Sequence, residues 1–243
     1  MNKYLILTSE RLFTIIKIQV NERLRLRGIK MMGTNTKENI LIVALRLFAK
    51  DGYEAVSVSR IASELGMTKG ALYKHYKNKR DIFDSIFEHV CQLDVERYKK
   101  AGFLEIEFSK ISQSFNNISV ESMRKYMETQ YYYWTEDEVA CNFRRMLTLE
   151  QYRDSEMTTL YQKVLASGPL NFIEDLLNEM MKQGIWMKGD SKQMALEFYA
   201  PFYLLLNISD VVNNDKKETA QMFMKHMDNF IEKYAMKRTN NNE

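Results

Sequence analysis

The chain has 243 residues, of which 45% are hydrophobic and 28% charged, as in an ordinary globular protein. Two prolines and nine glycines are too few for a turn-rich all-β fold, and the spacing of apolar residues favours helix. The two cysteines, Cys91 and Cys141, lack the spacing of a metal site. Two cysteines that lie far apart in the chain fit a reducing cytosol, so we expect a cytoplasmic protein. Because no apolar run reaches the roughly 18 residues of a membrane span, we expect no membrane partner.

Charge is unevenly distributed along the chain, although the overall balance is only +3. Residues 1–32 carry a balance of +5, residues 33–90 carry +2 and residues 91–243 carry −4. A basic front half and an acidic back half indicate a polyanionic partner at the front.

Residues 1–32 have no helix cap of their own, whereas Thr36 begins a clear capped segment. Arg27-Gly28 can be encoded by a purine-rich tract at ribosome-binding distance before Met31. We therefore interpret residues 1–32 as a non-native upstream extension, with the natural start at Met31 or Met32. The alternative is a genuine basic arm that reaches DNA, and the intact mass of the natively expressed protein would decide between them.

Apolar residues recur at helical spacing after Thr36 and predict a first helix, Lys37–Lys50, which ends at Asp51-Gly52. A second helix follows, with Ser57 as its N-cap, and ends at Gly66. These two elements open a domain that we place at residues 33–93.

A short third helix is capped by Thr68, and small residues at its start let the backbone approach a groove edge closely. Its first turn holds Lys69, Gly70 and Ala71. Leu72 and Tyr76 lie one turn apart and are expected in the core, whereas the outward positions are Tyr73, Lys74 and His75. After a basic loop, a fourth helix is predicted over residues 81–100.

Two short helices joined by a tight glycine turn, the second outwardly basic, predict a helix-turn-helix whose recognition helix enters the major groove of DNA. The alternative is an ordinary helical hairpin with a solvated basic face.

The stretch "ILIVALRLFAKDGYEAVSVSRIASELGMTKGALYKHYKNKRDIF" resembles the N-terminal domain of TetR/AcrR-type transcriptional regulators. The matching positions are Phe48, Gly52-Tyr53, Ile61-Ala62, Gly66, Gly70, Leu72-Tyr73, His75 and Lys79. The resemblance implies an all-α fold. In that fold, an N-terminal three-helix helix-turn-helix DNA-binding domain precedes a helical ligand-binding and dimerisation domain, which we place at residues 94–243.

The resemblance also implies the roles of individual residues. Phosphate contacts are expected from Ser57, Thr68, Tyr73 and Lys79. Residues expected near base edges are Lys69, Gly70, Ala71, Lys74 and His75, although His75 could instead be a buried structural histidine. Arg60 and Arg80 stand where acidic residues are common in the family, so we expect them to influence the preferred operator sequence.

The remaining residues are predicted to form helices Glu105–Asn116, Val120–Trp134, Glu136–Arg153, Ser155–Ala166, Pro169–Gln183, Lys192–Ser209 and Lys216–Met236. Gly168-Pro169 either kinks one long helix or starts a new one. Lys192–Ser209 is apolar on nearly all sides and must be buried. The resemblance implies a homodimer formed through the last two helices, and the alternative is that they only complete the core of one chain.

Aromatic residues of the middle helices are candidates for a small-molecule effector pocket, which the resemblance also implies. The candidates are Tyr126, Tyr133, Trp134, Phe143, Met146, Glu150 and Phe172. The alternative for each is plain core packing, and no motif identifies the ligand.

We therefore expect a DNA-binding transcriptional repressor that binds a palindromic double-stranded operator as a dimer and is released by a small-molecule effector. The alternative is a helix-turn-helix activator or co-regulator controlled by a protein partner. No nucleophile elbow, phosphate-binding loop or zinc-protease motif is present, so we expect no enzymatic activity, no cofactor and no metal site.

Overall fold

The computed structural model describes residues 36–100, 119–153, 155–211 and 216–236, and for residues 94–100 it describes the backbone alone. The predicted extension or arm of residues 1–32 and the predicted helix Glu105–Asn116 lie outside these residues.

The described residues are helical, and one isolated bridge joins Trp186 to Ala235. In chain order the helices are α1 (Thr36–Asp51), α2 (Val58–Glu64), α3 (Lys69–Tyr73), α4 (Lys79–Lys100), α5 (Val120–Glu136), α6 (Glu138–Glu150), α7 (Ser155–Leu165), α8 (Ser167–Lys182), α9 (Ser191–Ile208) and α10 (Lys216–Tyr234). None of these helices is long and apolar enough to cross a membrane. The all-α prediction is confirmed.

The described residues form two compact units. The N-terminal unit contains α1–α4 together with residues 138–161, which include α6 and the first part of α7. The C-terminal unit contains α5, the end of α7, and α8–α10. This division differs from the predicted boundary between residues 93 and 94, because α6 packs along α1. Helical periodicity shows that α6 has an apolar face, but not which unit that face joins.

Three helix ends of the N-terminal unit follow the predicted signals, whereas Thr36, predicted as an N-cap, is the first residue of α1. α1 ends just before Gly52, which has a φ of 82°. Ser57 Oγ accepts the N–H of Arg60 at 3.1 Å, and Thr68 Oγ1 accepts the N–H of Ala71 at 3.2 Å. The two hydroxyl groups therefore fix where α2 and α3 begin.

The core of the N-terminal unit contains buried residues from each of its first four helices. Leu72 of α3 is fully buried and Tyr76 nearly so, as predicted. The Tyr76 hydroxyl donates to the carbonyl of Lys37 at 3.0 Å. α3 is therefore anchored to the unit by an apolar side chain within it and a tyrosine just after it.

Aromatic rings form the core of the C-terminal unit. Tyr131 of α5 stacks on Phe223 of α10 with centroids 5.0 Å apart, and Phe202 of α9 packs edge-on against both rings. At the end of α10, the Tyr234 carbonyl accepts the N–H of Met187 at 2.9 Å. The backbone pairing there ends α10 at Tyr234, two residues before the predicted end.

α7 and α8 are two helices rather than one kinked helix. Gly168 and Pro169 lie in the first turn of α8. The backbone N–H that a proline lacks would have no hydrogen-bond partner within the helix at this position. A Cβ on Gly168 would lie 1.9 Å from the carbonyl oxygen of Lys163, so only glycine fits this close approach.

Gly168→Ala should therefore destabilise the protein by about 3 kcal/mol, the upper range for overpacking, and lower Tm by roughly 10 °C. Gly70→Ala is the matched control, because its Cβ would meet only Thr68 Oγ1 at 4.0 Å. Thermal unfolding followed by circular dichroism checks both variants, and equal melting temperatures for the two would contradict the steric argument.

Candidate nucleic-acid interface

α3 presents two different sides. Leu72 faces the core, whereas Lys69, Gly70, Tyr73 and Lys74 are exposed. The side chain of Tyr73 is 44% exposed, which is unusual for a large aromatic residue in so short a helix. The structure thus brings four of the residues predicted for DNA contact onto one accessible surface, which we call the α3 surface.

The cations of the α3 surface are available to an external anion. Lys69 Nζ lies 5.8 Å from the centroid of the Tyr73 ring. Neither Lys69 nor Lys74 forms an ion pair with a carboxylate in the described part of the chain. A phosphate near this surface would therefore meet two lysines without competition from a neighbouring acid.

The predicted phosphate ligands Ser57 and Thr68 are both exposed at helix starts. Each hydroxyl oxygen accepts one backbone N–H, which leaves the O–H proton free to donate to a phosphate oxygen. Capping and phosphate binding are therefore compatible at both positions.

Ala71 and His75 are half-buried. His75 lines a cavity of about 290 Å³ between the start of α1 and the middle of α4. The remaining residues around this cavity are Lys37, Glu38, Leu41, Tyr76, Asp81, Ser85, Glu88, His89 and Gln92. His75 is therefore neither fully exposed nor a buried structural histidine.

Lys79 has a different environment from the other predicted phosphate ligands. Its Nζ donates to the carbonyl of Tyr53 at 2.9 Å and lies 4.1 Å from the centroid of the Tyr53 ring. It also lies 3.5 Å from a carboxylate oxygen of Glu54. Most N–H donors of the Lys79 ammonium group bind Tyr53 and Glu54, in the turn between α1 and α2 that we call the Tyr53 corner. A phosphate contact would therefore use only the remaining donor.

Arg60 and Arg80 are paired within the N-terminal unit. Arg60 binds the carboxylate of Asp51 at 2.6 Å. Arg80 binds Asp84 at 2.8 Å and also Glu156 of α7. The hydrogen bond with Glu156 raises the pKa of Arg80 further above its usual value. Their influence on operator choice stays a prediction, although carboxylates of the same unit already bind both guanidinium groups.

The predicted effector-pocket residues divide between the two units. The C-terminal unit holds Tyr126 and Tyr133, both buried, and Trp134 and Phe172, both half-buried; the rings of Tyr133 and Trp134 are 5.3 Å apart. The N-terminal unit holds Phe143, Met146 and Glu150, all buried. The pocket itself stays a prediction, although Glu150 is already bound to other groups of its unit.

Sequence reasoning missed the contact that Glu150 makes. One carboxylate oxygen accepts the N–H of Tyr53 at 2.8 Å, and the other lies 3.2 Å from Nε of Arg153. Burial raises the pKa of the Tyr53 phenol beside this site, an effect that the charge of Arg80 partly offsets. The sequence did contain one indication that Glu150 is buried. Glu150 lies on the apolar face of α6, seven residues after Phe143 and four after Met146.

Comparison with known proteins supports the helix-turn-helix interpretation. Residues 40–86 match the family model described as bacterial regulatory proteins, tetR family. The chain is 38% identical over 78 residues to the HTH-type transcriptional regulator AcrR of Shigella flexneri, a match covering 30% of this chain and 36% of AcrR. The chain thus spans about a third of the length of this curated relative.

Solved structures share the fold over most of the chain. SmeT, the repressor of the Stenotrophomonas maltophilia multidrug efflux pump SmeDEF, aligns with a TM-score of 0.56 and 22% identity, over 84% of this chain and 93% of SmeT. The SmeT–triclosan complex aligns with a TM-score of 0.61 and 20% identity over the same shares. Residues 40–86 thus match the tetR-family model, and the chain shares its all-α fold with these solved structures.

Proposed function

We propose that the protein is a transcriptional repressor that binds a palindromic DNA operator as a homodimer and is released by a small-molecule effector. The observation that carries the proposal is the α3 surface, an exposed, unpaired basic face on a helix whose other side is anchored in the core. That arrangement suits a recognition helix, because phosphate contacts require free cations and base contacts require a rigidly held backbone.

The exposed apolar residues of the C-terminal unit support the dimer. α9 buries one face, yet Leu196, Leu204 and Ile208 remain exposed at four- and eight-residue spacings along the other. The exposed fraction is 58% for Leu204 and 54% for Met222 on α10. An apolar stripe of this kind is typical of a protein–protein interface, and a second copy of the same helices would cover it. A two-fold dimer would place two α3 surfaces on a palindromic site.

The effector is proposed from the fold and from the aromatic interior of the C-terminal unit. SmeT, which shares the fold, forms a complex with triclosan. A ligand that binds more tightly to the conformation with lower DNA affinity would release the operator. Its preference for that conformation over the other sets how far DNA affinity falls. Compounds that raise the melting temperature and weaken DNA binding would identify it, whereas a stabilising compound without effect on DNA would not be the effector.

Lys69→Ala and Lys74→Ala should each weaken binding to the DNA region upstream of the protein's own coding sequence. Both lysines are predicted to lie near base edges, where a cation also displaces counterions from DNA. Each substitution should therefore also reduce the slope of log K against log salt, by at most about 0.9, the value for one neutralised phosphate. Fluorescence anisotropy over a series of salt concentrations measures both quantities.

Lys188→Ala is the matched control for the lysine variants, because this exposed lysine lies in the C-terminal unit between α8 and α9. Its affinity and salt slope should equal those of the wild type. If the Lys69 and Lys74 variants behaved like the Lys188 variant, the α3 surface would not be the DNA-binding surface.

Leu204→Glu should dissociate the dimer, because burying an unpaired carboxylate in an apolar interface costs about 3 kcal/mol or more. That cost corresponds to a dissociation constant roughly a hundred-fold higher. Met187→Glu makes the same change at a residue that is 42% exposed and outside the stripe, so it should leave the dimer intact. Sedimentation analysis distinguishes them, and a wild-type monomer at micromolar concentration would refute the dimer.

A further inference from the structure

The corner between α1 and α2 is held by a side chain distant in sequence. The carboxylate of Glu150, at the end of α6, accepts the N–H of Tyr53, although 97 positions separate the two residues. Glu150 is only 2% exposed. A charged hydrogen bond of this kind, shielded from water, is stronger than one between neutral groups at the surface.

The backbone carbonyl of Tyr53 also has a hydrogen-bond partner. The carbonyl of Tyr53 accepts Lys79 Nζ, which comes from the start of α4. The ring of Tyr53 packs between Phe48 and Phe83, with centroid distances of 5.2 and 5.3 Å. Tyr53 is therefore fixed through its N–H by α6, through its carbonyl by α4 and through its ring by α1 and α4.

The backbone at Gly52 leaves room for the carboxylate of Glu150. Gly52 has a φ of 82°, and a Cβ at this position would lie 3.1 Å from Glu150 Oε1. Glycine is thus favoured here by its backbone conformation and by the closeness of the carboxylate. Four residues after Tyr53, Ser57 caps α2, so the position of the corner determines where α2 and then α3 lie relative to α1.

We propose that Glu150 is a positioning residue for DNA binding, which acts by holding the Tyr53 corner and, through it, the orientation of α2 and α3. This role rests on the proposed DNA-binding function. Through Glu150, α6 then helps to orient the α3 surface, although no pattern in the sequence connects α6 to the helix-turn-helix. Any ligand or partner that displaced the end of α6 would act on DNA affinity through this contact.

Two substitutions separate the hydrogen bond from the charge. Glu150→Gln keeps a carbonyl oxygen that can accept the N–H of Tyr53 but removes the ion pair with Arg153. Glu150→Asp keeps the charge but shortens the side chain by one methylene group, which withdraws the acceptor. Glu156→Gln is the control, because it breaks the Arg80–Glu156 pair of the same unit, whose side chains are 44% and 49% exposed.

Hydrogen–deuterium exchange at the Tyr53 amide and affinity for the upstream DNA duplex are measured for each folded variant. Glu150→Asp should accelerate exchange at Tyr53 and weaken DNA binding, each by about ten-fold, the effect of losing one hydrogen bond to a charged group. Glu150→Gln should stay within about three-fold of the wild type for both quantities, and Glu156→Gln should match the wild type.

Three results would overturn the role of Glu150: rapid exchange of the Tyr53 amide in the wild type, unchanged DNA affinity in Glu150→Asp, or a loss in Glu150→Gln as large as that in Glu150→Asp. The wild-type exchange measurement needs no variant, so it decides the contact even if Glu150→Asp does not fold. A wild-type protein that binds no DNA while its Tyr53 amide is protected would instead contradict the proposed function.

Discussion

The hydrogen bond from Tyr53 to Glu150 joins two parts of the chain that the sequence places far apart. Losing it would remove the acceptor of a half-buried N–H at the turn after α1, at a cost of about 1.5–3 kcal/mol, the range for a hydrogen bond to a charged group. Lys79 and the rings of Phe48 and Phe83 also contact Tyr53 at this corner. The arrangement of the helices of the helix-turn-helix therefore depends on this corner. The N-terminal unit is discontinuous in sequence, because α6 packs along α1.

Within this unit, the cations have two distinct uses. Arg60 and Arg80 form ion pairs with acidic side chains of the same unit. Lys69 and Lys74 project from α3 without such pairs in the described residues. The overall charge of +3 is small, yet Lys69 and Lys74 form a local surface that can attract phosphate, while several other basic residues of the unit are paired with carboxylates.

Most local features could be predicted from the sequence because they depend on nearby residues. The caps Ser57 and Thr68, the end of α1 at Gly52 and the burial of Leu72 all follow from helix chemistry and periodicity. Long-range partners could not be predicted, because an amphipathic face does not specify what covers it. For this reason the sequence did not reveal that α6 packs along α1, or that Glu150 accepts the N–H of Tyr53.

We propose that two copies of the α3 surface recognise a specific DNA sequence. Selection of bound duplexes from a random pool by the full-length protein, at physiological salt, tests this recognition. We expect enrichment of an inverted repeat whose two half-sites are each contacted by one α3 surface. Enrichment of no sequence, or of a single site without an inverted partner, would contradict it.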